Sequence, residues 1–274
     1  MDYKLPVRIE NSNKSTYGKV LNIAGSDYMP GAAYLSSISA LKVGCGYCFL
    51  ASTQRVIDAV AAQSQNIVFV PLSEVVQQII NSSCNVIEIG CGLSQSKEAV
   101  ELFNKVLDNA NPETPLVIDA DGLNILSKSS DKYFSKEFKN VVLTPHPKEA
   151  SRLLGCNLED VLSDLNVSAE YISKRYHCVT VLKSHRTIVY SNNGQKYMNT
   201  TGNNSMAKAG SGDVLTGMIS GIIAQGKNIF ESAVLGTYLH GLAGDLAKED
   251  LSEYSVMADD LLRYIPHSIK TLAD

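Results

Sequence analysis

The sequence predicts an α/β fold, with a mostly parallel central sheet and helices on both of its faces. Three observations carry that prediction. Short Val/Ile/Leu runs closed by turn residues have the pattern of strands buried on both faces. Between them lie longer stretches whose apolar residues recur at helical spacing, the alternation that builds a parallel sheet. Beyond Gly212 the apolar pattern stays helical to the end of the chain. With 274 residues, 45% of them hydrophobic and 19% charged, the chain can fill a full core.

The elements follow in order. Val20–Ala24 is the first strand and Ala32–Val43 the first helix. Tyr47–Ala51, Ile67–Val70 and Val86–Gly90 are strands, and Glu98–Leu107 has the spacing of an amphipathic helix. Leu116–Asp119, Val141–Leu143 and Cys178–Leu182 are further strands, with Lys148–Leu154 and Val167–Arg175 helical between them. Thr187–Tyr190 and Gln195–Asn199, joined through Asn192-Asn193-Gly194, form a β-hairpin. No Pro/Gly/Ser-rich linker, charge block or repeat divides the chain, so residues 19–274 read as one domain behind a polar arm, residues 1–18.

Composition narrows the function. A formal net charge of −4 argues against non-specific nucleic-acid binding, which needs a basic surface. No apolar run approaches membrane-spanning length, and the first residues lack a signal-peptide core, so a cytoplasmic protein with reduced thiols is expected. Cys45 and Cys48 have redox-motif spacing but follow a helical pattern and open a strand, the reverse of a thioredoxin-type context. Ser205-x-x-Lys208 has acylating-serine spacing without a Lys-Thr-Gly partner, and there is no His-Glu-x-x-His.

The most informative stretch is Asn203 to Asp213, which ends in Gly210-Ser211-Gly212-Asp213 where a helical pattern begins. Glycines allow close backbone approach, and a helix start carries about +0.5 charge and free N–H groups, an anion hole at Gly210, Ser211 and Gly212. Asp213 repels an anion, so its place is explained either by helix capping or as a base for a hydroxyl that attacks phosphorus. Polar clusters follow the other strands. They are Ala24-Gly25-Ser26-Asp27 with Gly31-Ala32, Gly90 to Ser94, Asp119-Ala120-Asp121 with Asn124, Thr144 to Glu149, and Lys183 to Thr187. Ligands of open parallel sheets bind beyond the carboxyl ends of strands, so one polar rim reads as a site. Acidic residues with Asn124 and Glu149 suit Mg²⁺ and phosphate oxygens. With neither a P-loop nor a protein-kinase signature present, the chemistry indicated is phosphoryl transfer from a nucleotide held in another way.

These segments, in this order, resemble the ADP/ATP-dependent NAD(P)H-hydrate dehydratase family of the ribokinase-like superfamily. The match runs through Ala24–Ala51, Ile89–Leu93, Val117–Leu126, Val142–Leu154, Val181–Val189 and Asn199–Gly226. The resemblance implies a ribokinase-like three-layer sandwich. It also implies dehydration of the S-form of hydrated NADH or NADPH at the expense of ADP or ATP, with Mg²⁺. Carried over by motif, Ala32, Gly92, His146 and Asp213 contact the hydrated cofactor and Asp213 is the catalytic base. Lys183, Ser184, His185, Arg186, Thr187 and Gly212 contact the adenine nucleotide, and Asp119, Asp121, Asn124 and Glu149 lie near phosphate and metal. The chain departs from the family pattern at Gly90-Cys91-Gly92-Leu93-Ser94, usually Gly-Pro-Gly-Leu-Gly, and at Lys183-Ser184, usually Lys-Gly. Relatives are commonly homotetramers, and many carry an N-terminal epimerase domain. Only some twenty residues precede the first strand here, so an epimerase is expected as a separate chain. Two other readings stand beside this one: a kinase of the same superfamily acting on a vitamin-precursor alcohol such as a thiazole or hydroxymethylpyrimidine, and a nucleotide-binding sensor without turnover.

Overall fold

The computed structural model describes residues 4–81, 84–134 and 136–273. Residues 1–3 of the predicted arm and residue 274 of the predicted domain lie outside the described residues. The strands are β1 (Lys19–Ile23), β2 (Tyr47–Ser52), β3 (Val68–Pro71), β4 (Val86–Ile89), β5 (Leu116–Ile118), β6 (Val141–Leu143), β7 (Val179–Leu182), β8 (Ile188–Ser191) and β9 (Lys196–Met198). The helices are α1 (Pro30–Lys42), α2 (Gln54–Ala61), α3 (Val75–Asn81), α4 (Lys97–Asn109), α5 (Ala120–Lys128), α6 (Asp131–Phe134), α7 (Pro147–Leu154), α8 (Leu158–Ser163), α9 (Leu165–Tyr176), α10 (Ser211–Ala224), α11 (Ile229–Leu251) and α12 (Ala258–Ala273).

One sheet runs in the order β3-β2-β1-β4-β5-β6-β7-β8-β9. The first seven strands are parallel, and β7, β8 and β9 pair antiparallel as the predicted hairpin extends the edge. Strand order reverses between β1 and β4, which opens a crevice at the carboxyl ends, as the polar rim anticipated. Several predicted strand ends lie one residue into the following loop, as at Ala24, Gly90 and Asp119. The short helices α2, α3, α5, α6 and α8 were not anticipated.

The strand residues alternate between two cores because successive side chains point to opposite faces. Leu21, Ile23, Ile87, Ile89, Leu116 and Ile118 pack with Phe103, Val106 and Leu107 of α4 and Ile172 of α9. Val20, Val86, Val117, Val142 and Val181 pack the other way, against Leu215, Ile219 and Ile223 of α10 and Phe230 and Val234 of α11. Both faces are therefore covered, and the strands read as continuous apolar runs.

Helix α10 comes unusually close to α1. A Cβ on Gly217 would lie 1.9 Å from the Ser36 carbonyl oxygen, and one on Gly221 would lie 2.4 Å from that of Ala40. The contact holds the start of α10 at a fixed height above the sheet, and that start carries the site. Residues 4–18 lie against the same body. The Arg8 guanidinium stacks 3.8 Å from the Tyr17 ring centre and donates to the Gly44 carbonyl.

Candidate functional site

The site is built from the loops that leave β1, β4, β5, β6 and β7 and from the start of α10. Gly210 takes φ +91°, a left-handed turn that suits glycine, and its carbonyl accepts the Val214 N–H at 3.1 Å. The Gly212 and Asp213 N–H groups precede that first intrahelical bond and stay open to a ligand, whereas the Ser211 N–H is bonded to the Lys208 carbonyl at 3.3 Å. A Cβ on Gly212 would come 3.4 Å from Lys183 Nζ and 3.8 Å from Asp119 Oδ2, so the turn faces a charged pair directly.

That pair is Lys183, just after β7, and Asp119, just after β5. Lys183 Nζ lies 2.6 Å from Asp119 Oδ1 and 3.9 Å from Glu149 Oε2. Thr216 Oγ1 donates to Asp119 Oδ2 at 2.7 Å, and the Cys91 thiol approaches the same oxygen at 3.9 Å. Burial acts to raise the Asp119 carboxyl, but the Lys183 charge, with the Thr216 and Thr144 hydroxyls, outweighs it and holds Asp119 below the ordinary carboxylate range. Burial likewise opposes the Lys183 charge, and Asp119 and Glu149 more than restore it.

Asp213, in the first turn of α10, is raised to about 6 by burial and then by the Asp119 charge. Unlike Asp119 and Glu149, it has no cationic partner in contact among the described residues. Glu149 is raised to about 7, mainly by burial with the Asp119 charge adding, although Lys183 opposes this. His146 caps α7, its Nδ1 accepting the Lys148 and Glu149 N–H groups at 3.1 and 3.2 Å, which leaves the neutral ring's hydrogen on Nε2. Burial and then Lys183 push its basicity down.

A cavity of about 720 Å³ opens on one side of the turn, lined by Lys183, Ser184, His185, Thr187, Gly212 and His146 among others. The predicted nucleotide residues therefore share one wall, apart from Arg186, whose guanidinium turns to the Thr200 carbonyl at 2.9 Å. Ser184 Oγ is enclosed and has no hydrogen-bond partner among the described residues. Ala32 and Gly92 lie together, where a Cβ on Gly92 would meet that of Ala32 at 2.7 Å, and Cys91 beside Gly92 comes within 4.8 Å of Asp213. Asp121 and Asn124 are engaged elsewhere. Asp121 accepts the Ser94 N–H at 2.8 Å and the Gln95 amide at 3.1 Å, bracing the turn after β4, and Asn124 accepts from Arg152.

Cys91, Asp119 and Asp213 each offer one ligand atom, all within 4.8 Å of one another. The two carboxylates are hard oxygen donors that suit Mg²⁺ shared with phosphates, whereas the neutral Cys91 sulfur suits so hard an ion poorly. Thr216, His240 and Glu88 were missed by sequence reasoning. His240 Nε2 lies 2.9 Å from the Ser211 carbonyl, which pins the anion turn. Thr216 one turn beyond Asp213 has a legible spacing, but nothing in the sequence marks His240 within the long apolar α11.

The profile of the NAD(P)H-hydrate dehydratase family matches residues 20–267. An ADP-dependent (S)-NAD(P)H-hydrate dehydratase of Neisseria meningitidis serogroup B is 37% identical over 88% of this chain and 81% of that protein. A bifunctional NAD(P)H-hydrate repair enzyme of Moorella thermoacetica is 36% identical over 99% of this chain, which spans only 53% of that relative's length. The crystal structure of a Bacillus subtilis ADP/ATP-dependent NAD(P)H-hydrate dehydratase, co-crystallised with ATP and Mg²⁺, superposes with a TM-score of 0.88 at 29% identity, covering 98% of this chain and 94% of that one.

Proposed function

This chain belongs to the NAD(P)H-hydrate dehydratase family, with its ribokinase-like fold, and we propose that it restores NADH or NADPH from the S-form of the hydrated cofactor by spending ADP or ATP. The observation that carries the proposal is the placement of Asp213. It sits in the first turn of α10 next to Gly212, which lines the nucleotide-sized cavity with Lys183, and its carboxylate comes within 4.8 Å of Asp119 and of Cys91, the neighbour of Gly92.

In this reading Asp213 takes the proton from the ring hydroxyl as its oxygen attacks the terminal phosphorus. A base with a pKa of about 6 is mostly ionised at neutral pH yet able to hold the proton. The Gly212 and Asp213 N–H groups and Lys183 hold the transferring phosphoryl oxygens, donors fixed in place before the charge develops. Hydroxide is a poor leaving group and phosphate a good one. The C–O bond then breaks with electrons supplied by the ring nitrogen, the adjacent carbon loses a proton, and the dihydropyridine is restored. Asp119, kept ionised by Lys183, with Glu149 beside it, would face a nucleotide-bound Mg²⁺, whose chemistry is to neutralise phosphate charge.

Residues 19–274 are the proposed catalytic domain. A homotetrameric assembly belongs to the same proposal and rests on the family resemblance, and a cytoplasmic setting belongs to it on the cysteine usage of the sequence. Among the described residues no helix is long and apolar enough to cross a membrane. The vitamin-alcohol kinase and the sensor are both set aside by the same test. Incubation with hydrated NADH, Mg²⁺ and ADP or ATP should regenerate dihydronicotinamide absorbance with one phosphate released per turnover.

A further inference from the structure

A nucleotide is an anion, and this chain has a formal net charge of −4, so the cations that hold one have to be local. Among the described residues that line the cavity beside the anion turn there is no Asp or Glu, and the lysines are Lys183 and Lys208. The Lys183 charge is met within the protein by Asp119 at 2.6 Å and Glu149 at 3.9 Å. Lys208 differs. Its ammonium donates to the Tyr254 carbonyl at 3.0 Å, and it makes no ion pair among the described residues. Asp259, which shares the wall of a smaller neighbouring cavity with Lys208, is not within ion-pair distance of it. The Lys208 side chain is exposed, so its stem can turn, but its backbone is held. Its N–H donates to the Met206 carbonyl at 2.8 Å, and its carbonyl accepts the Ser211 N–H at 3.3 Å. The stem therefore starts from a fixed point on the rim of the anion turn, two residues before Gly210.

We propose that Lys208 is a second phosphate-binding lysine of this cavity, its ammonium turning from the Tyr254 carbonyl to the polyphosphate when the nucleotide enters. The inference rests on the nucleotide seat proposed above and adds to it a residue outside the Lys183–Thr187 segment and Gly212. A hydrogen bond between two charged groups is shorter and roughly twice as strong as one between neutral groups, so a phosphate oxygen outbids a backbone carbonyl for the ammonium. An ammonium carries three hydrogens, and two of them have no partner among the described residues. The two lysines divide the work. Lys183, buried and bonded to Asp119, is a donor fixed in place beside Gly212. Lys208, on a flexible four-carbon stem, brings a charge that the protein has not met, and so sets how tightly the anion is held.

Calorimetric titration of ADP with Mg²⁺ into the wild type and Lys208→Met tests this, with adenosine as the ligand that carries no phosphate. The substitution keeps an apolar stem at an exposed position and removes the charge. ADP should bind the variant about tenfold more weakly at low salt, the scale of one charge-assisted hydrogen bond. The gap should narrow as salt rises toward about 1 M, where the screening length falls to roughly 3 Å. Adenosine should bind both proteins alike. An ADP affinity equal to wild type, a gap that ignores salt, or a matching loss for adenosine, which would mark Lys208 as a brace for the Tyr254 loop, overturns the assignment and leaves the nucleotide seat standing. A wild type that binds no ADP removes the seat and the assignment together.

Discussion

Lys183 and Asp119 are bonded at 2.6 Å across the carboxyl end of the sheet, from strands β7 and β5 that flank β6 between them. Asp119 is 1% exposed, so its charge depends on that ammonium and on the hydroxyls of Thr216 and Thr144. The pair joins the nucleotide wall to the floor beneath Asp213, and both stability and chemistry hang on it.

Lys183→Met strands a buried carboxylate, and breaking a buried pair from one side typically costs about 3–5 kcal/mol. Urea denaturation at neutral pH should show a loss of that order. The double variant Lys183→Met/Asp119→Asn should recover part of it, because no buried charge is then left alone. Equal losses in the single and double variants would mean that the pair is not what stabilises this corner.

Asp213→Asn keeps the shape of the first turn of α10 and removes the proton acceptor. Turnover should fall by about 10²–10⁴-fold, while the dissociation constant for ADP stays within a few-fold of wild type. Near-wild-type turnover would show that another group takes the proton.

Glu88 makes stability depend on pH. It sits in β4 facing α10, fully buried, and neither carboxyl oxygen has a hydrogen-bond partner among the described residues. Burial raises it to about 8 from an ordinary 4.5, with the Asp119 and Asp213 charges adding. The folded state therefore keeps a proton that the unfolded chain releases above about 4.5. This group's contribution is most favourable at low pH, declines between pH 4.5 and 8, and levels off above. Glu88→Gln, which is neutral at every pH, should match the parent near pH 5 and exceed it increasingly toward pH 8.5. Parallel stability curves for the two proteins would show that Glu88 is not held neutral.

Ser94 takes φ +71°, in the left-handed region that favours glycine. Ser94→Gly relieves that strain at some cost in chain entropy, for a net gain of about 0.5–1 kcal/mol. The Asp121 contact is to the Ser94 backbone N–H and survives the change. A lower melting temperature in the variant would contradict this account of the turn.

The sheet was legible because both-face burial writes itself as unbroken apolar runs, and Val141–Leu143 shows this with identical predicted and observed bounds. Short helices such as α8, six residues long, leave too few turns for a period to register. The rim was legible as clusters after strands, but not the orientation of single side chains within it. Asp121 and Asn124 sit beside Asp119 in sequence, yet helix α5 turns them toward Ser94 and Arg152. Glu88 was passed over because a single acid inside Val86–Ile89 looks like strand alternation, and only packing against α10 shows that it is buried.

The most direct test is a single reaction: purified protein, hydrated NADH, Mg²⁺ and ADP or ATP, with dihydronicotinamide absorbance and phosphate followed together. The account predicts a nucleotide-dependent rise in absorbance matched one for one by phosphate, abolished in Asp213→Asn. Nucleotide binding without any rise, or a phosphorylated product that persists without expelling phosphate, would contradict it.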